Sequence, residues 1–185
     1  MVQRPDGTLA PAVLLSAQTG VNVQRLGVVD FGGDGRAGLL AHFTPFSTDF
    51  APFLRALRQG PSALAWSPPV DSGLGGVLGV DGTAFGDVDQ DGRPDVVLAG
   101  SWPVNAGPLV PPDIRSRVNL LRGRGDGSFE DAVGIDIAPQ AGAVAIGDLD
   151  GDARNDLVLF NGVDLWWMRQ SPASPGQFEA LQPLP

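Results

Sequence analysis

The stretch that decides the fold runs from Asp87 to Asp95 and reads Asp-Val-Asp-Gln-Asp-Gly-Arg-Pro-Asp. Counted from its first aspartate, carboxylates stand at positions 1, 3, 5 and 9, and a glycine stands at position 6. Two like charges 4 Å apart repel by about 1 kcal/mol even in bulk water, and by more near a protein surface. Four carboxylates in one tight loop therefore indicate a bound cation.

This loop recurs in two other places. Residues 148–156 read DLDGDARND and keep all four carboxylates, with Ala153 at position 6, whereas residues 30–38 read DFGGDGRAG and keep only two. The first aspartates stand at residues 30, 87 and 148, which are 57 and 61 residues apart. Repetition at such a period is typical of architectures in which each repeat is one supersecondary unit.

Each repeat predicts four short strands. Two strands flank the aspartate loop, and two flank an outer hairpin marked by turn residues, for example Asp126-Gly127. The strand after the loop is apolar throughout, as in residues 96–99 (VVLA), so it should be covered on both faces. Four-stranded antiparallel units repeated radially are the blades of a β-propeller. We therefore predict an all-β chain, residues 1–185, of about three blades in approximate repeats 1–60, 61–122 and 123–185.

The number of blades raises a packing question. Propellers have typically four to eight blades, and three blades that do not close a ring leave two apolar flanks exposed. We therefore expect an incomplete propeller, completed either by the remaining blades of a longer chain or by self-association with another copy.

The chemistry of the loops favours calcium as the cation. Ca²⁺ accepts six to eight oxygen ligands at about 2.3–2.6 Å, and alternate residues of a tight loop point inward. The predicted ligands are the four carboxylates of each complete loop and the position-7 carbonyl: Asp87, Asp89, Asp91, Arg93 and Asp95, then Asp148, Asp150, Asp152, Arg154 and Asp156. Asp30 and Asp34 predict a weak site or a metal-free turn. Magnesium, and an aspartate-rich turn that only caps backbone amides, are the alternatives.

Composition excludes several other functions. The chain has 12 arginines and no lysine against 21 acidic residues, for a net charge of -9, which argues against nucleic-acid binding. It has no cysteine and one histidine, His42, so thiolate and two-histidine metal sites are excluded. Its apolar runs fall short of the roughly 20 residues that cross a bilayer, so we expect no membrane insertion. The chain shows no acid–base pair apart from the loops, and we predict that it is not an enzyme.

The two complete loops resemble the calcium loops of FG-GAP repeats, also described as VCBS-type repeats. The outer hairpin at residues 125–129 (GDGSF) is similar to the GDGTF turn of bacterial members. The resemblance implies integrin α-like propeller blades, calcium ligation by the aspartates of both loops, and an extracellular or cell-surface location. It also implies a role in adhesion or in protein or ligand recognition. The eroded first loop and a blade count below seven depart from the family pattern.

Two further functions stay open on the same scaffold. A carbohydrate-binding, lectin-like propeller would use Trp102 and Trp66 as stacking platforms; Trp102 lies in residues 101–117, which we interpret as a proline-rich insertion between strands. The chain could also be the non-catalytic part of a larger secreted enzyme.

Four local features complete the expectations. Residues 53–57 (FLRAL) predict one turn of helix, and His42 is interpreted as an ordinary residue at a loop edge. Arg124-Gly125-Asp126 spells an adhesion tripeptide, but the same residues form the repeat's hairpin turn, which is the favoured interpretation. The first 20 residues favour an edge strand over a signal peptide.

Overall fold

A computed structural model describes residues 20–45, 52–61, 65–74, 79–104, 113–138 and 140–184 of this chain. For residues 45, 79, 101–104, 113 and 114 the description is of the main chain only. The edge strand or signal peptide expected at the start falls on residues 1–19, which lie outside the described part of the chain.

The described residues form three four-stranded antiparallel sheets, in agreement with the predicted all-β, blade-like fold. The first sheet contains β1 (Val21–Val29), β2 (Gly38–Pro45), β3 (Phe53–Arg58) and β4 (Val70–Gly73). The second contains β5 (Gly79–Gly86), β6 (Asp95–Val104), β7 (Asp113–Leu121) and β8 (Val133–Ile137). The third contains β9 (Ala143–Gly147), β10 (Asp156–Phe160), β11 (Leu165–Met168) and β12 (Gln182–Pro183). Within each sheet, strands that follow one another in sequence are neighbours.

The sheets stack face to face, with the second sheet in the middle. Side chains of a strand alternate between its two faces, and β6 shows this clearly. Val96 and Leu98 pack in the apolar cluster shared with the first sheet, whereas Val97 and Ala99 pack in the cluster shared with the third. All four side chains are fully buried, which confirms that this strand is covered on both faces.

The first strands of the three sheets lie side by side. A Cβ atom added to Gly27 in β1 would overlap the ring of Phe85 in β5. A Cβ atom added to Gly82 in β5 would lie only 2.8 Å from the main chain of Ala143 and Val144 in β9. Gly82 is needed because two backbones approach closely there, and Gly27 is needed because the Phe85 ring occupies the space of a side chain. The arrangement places one strand of every sheet along a common axis, as in the blades of a propeller.

The outer hairpins lie where the turn residues predict them. Isolated bridges close them between Gln59 and Trp66, between Gly123 and Phe129, and between Gln170 and Phe178. The helical turn predicted at residues 53–57 is wrong, because this segment is β3. Its residues are good helix formers, but it pairs with β2 on one side and β4 on the other. Tertiary pairing overrides the local propensity.

The interpretation of residues 101–117 as an insertion between strands is also wrong for both ends of the segment. β6 continues to Val104 and β7 begins at Asp113, so the two strands of this hairpin are longer than the sequence indicated. Trp102 lies within β6, opposite Arg115. Its side chain lies outside what the structure describes.

His42 is not at a loop edge: it lies within β2 and is fully buried. Its Nδ1 atom is 3.4 Å from the Thr83 hydroxyl, and its Nε2 atom has no partner among the described residues. It occupies the repeat position of Ala99 in the second sheet and Phe160 in the third, each twelve residues after the first aspartate. An apolar position of the repeat therefore holds a titratable side chain.

Acid should destabilise the protein through this histidine. Burial lowers the pKa of His42 below its ordinary 6.5, so below that pH the unfolded chain binds a proton that the folded chain refuses. As the pH falls through that window, the free energy of unfolding should decrease by at most about 1.4 kcal/mol per pH unit. Urea unfolding of the wild type and of His42→Leu between pH 5.5 and 8 measures it. The stability of the wild type relative to His42→Leu should rise as the pH rises; parallel curves would contradict the prediction.

The outward faces of the terminal sheets differ from the buried ones. In the first sheet, Val23, Leu26 and Val28 of β1 are 55%, 62% and 70% exposed. In the third sheet, Phe160 and Leu165, which are paired across β10 and β11, are 40% and 45% exposed. Among the described residues no helix is long and apolar enough to span a membrane.

Candidate metal centre

All three aspartate loops share one backbone conformation, with left-handed residues at positions 4 and 6. Position 6 holds Gly35, Gly92 and Ala153, with φ of 78°, 85° and 65°. Position 4 holds Gly33, Gln90 and Gly151, with φ of 65°, 63° and 78°. A non-glycine residue there is strained by roughly 1–2 kcal/mol. Both complete loops therefore carry one strained residue, at opposite positions.

The position-1 aspartate organises this turn in each loop. The Asp87 carboxylate accepts hydrogen bonds from the amides of Asp91 (3.1 Å) and Gly92 (2.9 Å). Asp148 accepts from Gly151 (2.8 Å) and Ala153 (2.9 Å).

Asp30 of the first loop does the same. Its carboxylate accepts hydrogen bonds from the amides of Gly32, Asp34 and Gly35. These bonds, led by the one from Gly35, lower the pKa of Asp30. Amide capping thus shapes all three loops, including the loop that lacks two of the four carboxylates.

The position-9 aspartate ties each complete loop to the outer hairpin, at the residue that follows shortly after the third strand of its sheet. Asp95 is fully buried, and its two oxygens accept from the amides of Val88 and Gly123, both at 2.8 Å. Burial raises the pKa of Asp95 to about 6, while the two amide hydrogen bonds oppose that rise. Asp156, also fully buried, accepts from the amides of Leu149 (3.1 Å) and Gln170 (2.8 Å). The carboxylate therefore joins strand, loop and hairpin.

Carboxylates at positions 1, 3 and 9 converge in both complete loops. One oxygen of each of Asp87, Asp89 and Asp95 lies within 4.8 Å of the others, and the same holds for Asp148, Asp150 and Asp156. Oxygens this close can share a cation whose oxygen ligands stand about 2.3–2.6 Å away.

The position-5 aspartates lie outside these two groups. Asp91 and Asp152 accept instead from the position-7 amides, of Arg93 (2.8 Å) and Arg154 (2.9 Å). The side chains of these two arginines also turn back onto the position-5 carboxylates as ion pairs. In the first loop, Asp34 bonds the Arg36 amide in the same way.

The second loop shows the clearest sign of a missing partner. Asp89 is 15% exposed at its side chain, and its buried Oδ1 atom has no hydrogen-bond partner among the described residues. Burial raises the pKa of Asp89, and its neighbour Asp91 adds to the rise, while Arg122 opposes it. A buried, unpaired carboxylate oxygen is costly. The residues present therefore fit a hard cation.

The two complete loops are bonded to each other. The Asn155 side chain donates to the Asp87 carbonyl (2.6 Å), and the buried Gln170 side chain donates to the carbonyls of Val88 (2.5 Å) and Asn155 (2.9 Å). The Gln90 side chain donates to the Ala153 carbonyl. Both groups of carboxylates thus lie at the same end of the sheet stack and share one polar network.

The outer hairpin of each following sheet lies over the loop before it. A Cβ atom on Gly176, in the third sheet's hairpin, would lie 3.1 Å from the Asp89 Cβ atom and 2.7 Å from Arg122 Nη2. A Cβ atom on Gly125, in the second sheet's hairpin, would lie 3.3 Å from the Phe31 carbonyl oxygen. Glycine is required at both places for close approach and for a φ of 70° and 81°.

The second hairpin contains the Arg124-Gly125-Asp126 tripeptide, and its charged groups bond within the turn. Asp126 accepts from the Ser128 amide (2.8 Å) and hydroxyl (2.6 Å). Arg124 donates to the Phe129 carbonyl at 2.5 Å. The geometry is that of the repeat's turn.

Trp66 lies in the first outer hairpin and lines a groove of about 410 Å³. Arg36, Arg58 and Gln59 line the same groove, so a half-buried aromatic ring stands beside polar and cationic groups. The sequence indicated Trp66 as a candidate stacking platform, but it did not indicate the arginine and glutamine side chains beside it.

Comparison with known proteins finds one family model that matches the segment containing the complete loops. Residues 87–159 match the model described as an FG-GAP-like repeat. The match begins at the first aspartate of the second loop and ends within β10, so it contains both complete loops and confirms the resemblance noted from the sequence. No curated protein matches the chain.

Proposed function

Because residues 87–159 form an FG-GAP-like repeat within propeller-like sheets, we propose that the chain is a calcium-stabilised, non-enzymatic interaction module that acts outside the cell in adhesion or ligand recognition. One observation carries the calcium part. Three carboxylates converge within 4.8 Å in each complete loop, and in the second loop a buried oxygen of Asp89 has no partner. A cation there would satisfy that oxygen and cancel the repulsion between carboxylates.

Several residues would hold the ion. In the second loop the ligands would be Asp87, Asp89 and Asp95. In the third loop they would be Asp148, Asp150 and Asp156. Because position 9 also bonds the start of the outer hairpin, ligation would fasten three segments of one sheet at a single point. Modules outside the cell bind calcium at about 0.1–1 mM, which suits sites of this kind.

Thermal unfolding in calcium and in chelator tests this proposal. Calcium at ten times its dissociation constant should add about 1.4 kcal/mol per site to the free energy of unfolding, because it binds only the folded state. The double variant Asp89→Asn, Asp150→Asn removes one carboxylate from each group and should abolish the difference between the two conditions.

The control for this experiment is Asp164→Asn, which changes an exposed carboxylate in the turn at the opposite end of the third sheet. It should keep the full calcium response. A wild type that melts at the same temperature in 5 mM calcium and in chelator would overturn the calcium part of the proposal. Magnesium in place of calcium gives the ion's identity.

A carbohydrate-binding function is the second candidate, favoured by the groove beside Trp66. Aromatic rings stack on sugar faces, and the arginine and glutamine side chains in the groove offer donors to hydroxyl groups. Glycan-array binding that is lost in Trp66→Ala, or in Trp102→Ala, would favour this function. Binding that survives both changes would exclude it.

The outward faces of the terminal sheets should receive further sheets of the same kind, from another copy or from further blades. Val158 and Phe160 occupy the repeat positions of Val97 and Ala99, which are fully buried between two sheets. Phe160 is 40% exposed, so this face repeats a buried pattern in an exposed place. Mass in solution tests self-association: the expected value exceeds one protomer and falls to one protomer in Phe160→Asp.

The chain could equally serve as the non-catalytic part of a larger secreted enzyme. A catalytic domain encoded in the same reading frame would support this assignment. The calcium response expected above is the same in either setting.

A further inference from the structure

An arginine stands at the same place in all three sheets, where the third strand leaves for the outer hairpin. Arg58, Arg122 and Arg169 each precede the residue whose bridge closes that hairpin, namely Gln59, Gly123 and Gln170. In each sheet the arginine side chain lies against position 3 of that sheet's aspartate loop.

In the complete loops the arginine is ion-paired with the position-3 carboxylate. Arg122 Nε lies 3.1 Å from Asp89 Oδ2, and Arg169 Nε lies 2.5 Å from Asp150 Oδ2. Arg169 also reaches Asp152, with Nη2 at 3.2 Å from Oδ2. The partner carboxylates are part of the groups that converge in each loop, except Asp152.

In the first loop the arginine occupies the space of the absent carboxylate. Position 3 is Gly32, and a Cβ atom built on it would lie 3.0 Å from Arg58 Nη2. The loop has lost its aspartates at positions 3 and 9, yet it keeps the same turn and the same arginine. An arginine at this place therefore accompanies the loop whether or not a cation site is present.

The Arg122 side chain is held rather than free to swing away. It is 34% exposed, its Nη2 atom lies 3.4 Å from the Pro175 carbonyl oxygen, and Gly176 packs against it. An arginine fixed in this way keeps its positive charge within a few ångströms of the carboxylate group. A partly enclosed pair is screened less by salt than a fully exposed one.

We propose that Arg122 and Arg169 are internal counter-cations that neutralise the position-3 carboxylates in the calcium-free protein and oppose calcium binding at the same groups. This inference rests on the proposed calcium function and concerns its regulation. Two consequences follow from charge alone. The calcium-free loops are stabilised by the ion pairs, and calcium binds more weakly because it enters a site where a positive charge is already present.

The test compares Arg122→Gln and Arg169→Gln with the wild-type chain, by calorimetric titration with calcium and by melting in chelator. Removing one positive charge should tighten calcium binding at that loop about tenfold, the effect of one unit charge on a divalent ion about 5 Å away in water. It should also lower the melting temperature in chelator. Arg122→Lys keeps the charge and should behave as the wild type in both measurements.

The matched control is Arg117→Gln, which breaks an ion pair with Asp136 (2.7 Å) on the paired strands β7 and β8 rather than in a loop. It should leave calcium affinity unchanged. Calcium binding by Arg122→Gln and Arg169→Gln that is no tighter than binding by the wild type would overturn the inference. Weaker binding would mean that the arginines position the carboxylates for calcium.

The same titrations separate this inference from the proposed function. If the wild type does not bind calcium but Arg122→Gln does, the calcium-stabilised function fails and the counter-cation role is supported. If neither the wild type nor any arginine variant binds calcium, both are overturned. A variant that does not fold in chelator but folds and binds tightly in calcium supports the inference.

Discussion

Replacing Asp156 with alanine should lower the free energy of unfolding in chelator by about 2–4 kcal/mol. Its buried carboxylate accepts hydrogen bonds from the amides of Gln170, which is buried, and Leu149, which is partly exposed, so alanine leaves both backbone donors without this acceptor. Each buried donor that loses its acceptor costs about 1–3 kcal/mol. Urea unfolding in chelator measures this effect apart from any contribution of calcium.

Asparagine at the same position provides the graded comparison. Asp156→Asn keeps one acceptor oxygen and should lose about half as much stability, whereas Asp34→Ala removes one exposed amide bond and should lose under about 1 kcal/mol. If Asp156→Ala were as stable as the wild type in chelator and weaker only in calcium, the carboxylate would be a metal ligand alone. Its bonds to the outer hairpin would then contribute nothing measurable.

Replacing Leu98 with alanine should be about as damaging, at about 2–5 kcal/mol. Leu98 is fully buried in β6, within the cluster between the first and second sheets, and the rigid strands on both sides limit how far the site can collapse. Denaturant unfolding should show a lower midpoint with an unchanged slope if all the sheets unfold together.

Val163→Ala is the control, because this side chain is 83% exposed and should change stability by under about 0.5 kcal/mol. Leu159→Ala makes the same kind of cavity between the second and third sheets. Two separate transitions in Leu98→Ala would show that the first sheet unfolds alone. A loss under 1 kcal/mol would contradict the packing described for β6.

The repeat, the sheets and the outer hairpins could be read from the sequence because local signals specify them. The continuous burial of β6 and the Asp126-Gly127 turn follow from residues within a few positions of each other. β3 could not be identified in this way, since FLRAL favours a helix locally and becomes a strand only between two partners. His42 was misplaced for a related reason: a polar residue in a short apolar run does not reveal that both faces of its strand are covered.

The candidate centre was only partly foreseeable. The spacing of the aspartates indicated a cation, and the structure brings three of the four carboxylates of each complete loop together. The arginines escaped notice because Arg122 follows Asp87 by 35 residues and Arg169 follows Asp148 by 21. Sequence reasoning treated the loop as bare negative charge, whereas the fold supplies positive charge from a distant strand. Gln90 was missed because its own neighbours do not mark a left-handed residue; the only signal was the glycine at position 4 of the other two loops.

The hairpin that overlies the preceding loop gives the chain a direction of maturation. While the protein emerges from the ribosome, the second sheet can pair its strands before residues 171–178 have left the exit tunnel. Its acidic turn then faces solvent, and Arg122 lacks the Pro175 and Gly176 neighbours that later hold it. The second sheet therefore gains these contacts only when the third sheet's hairpin has folded, and a chain cut short before residue 171 would leave Asp89 and Arg122 without them.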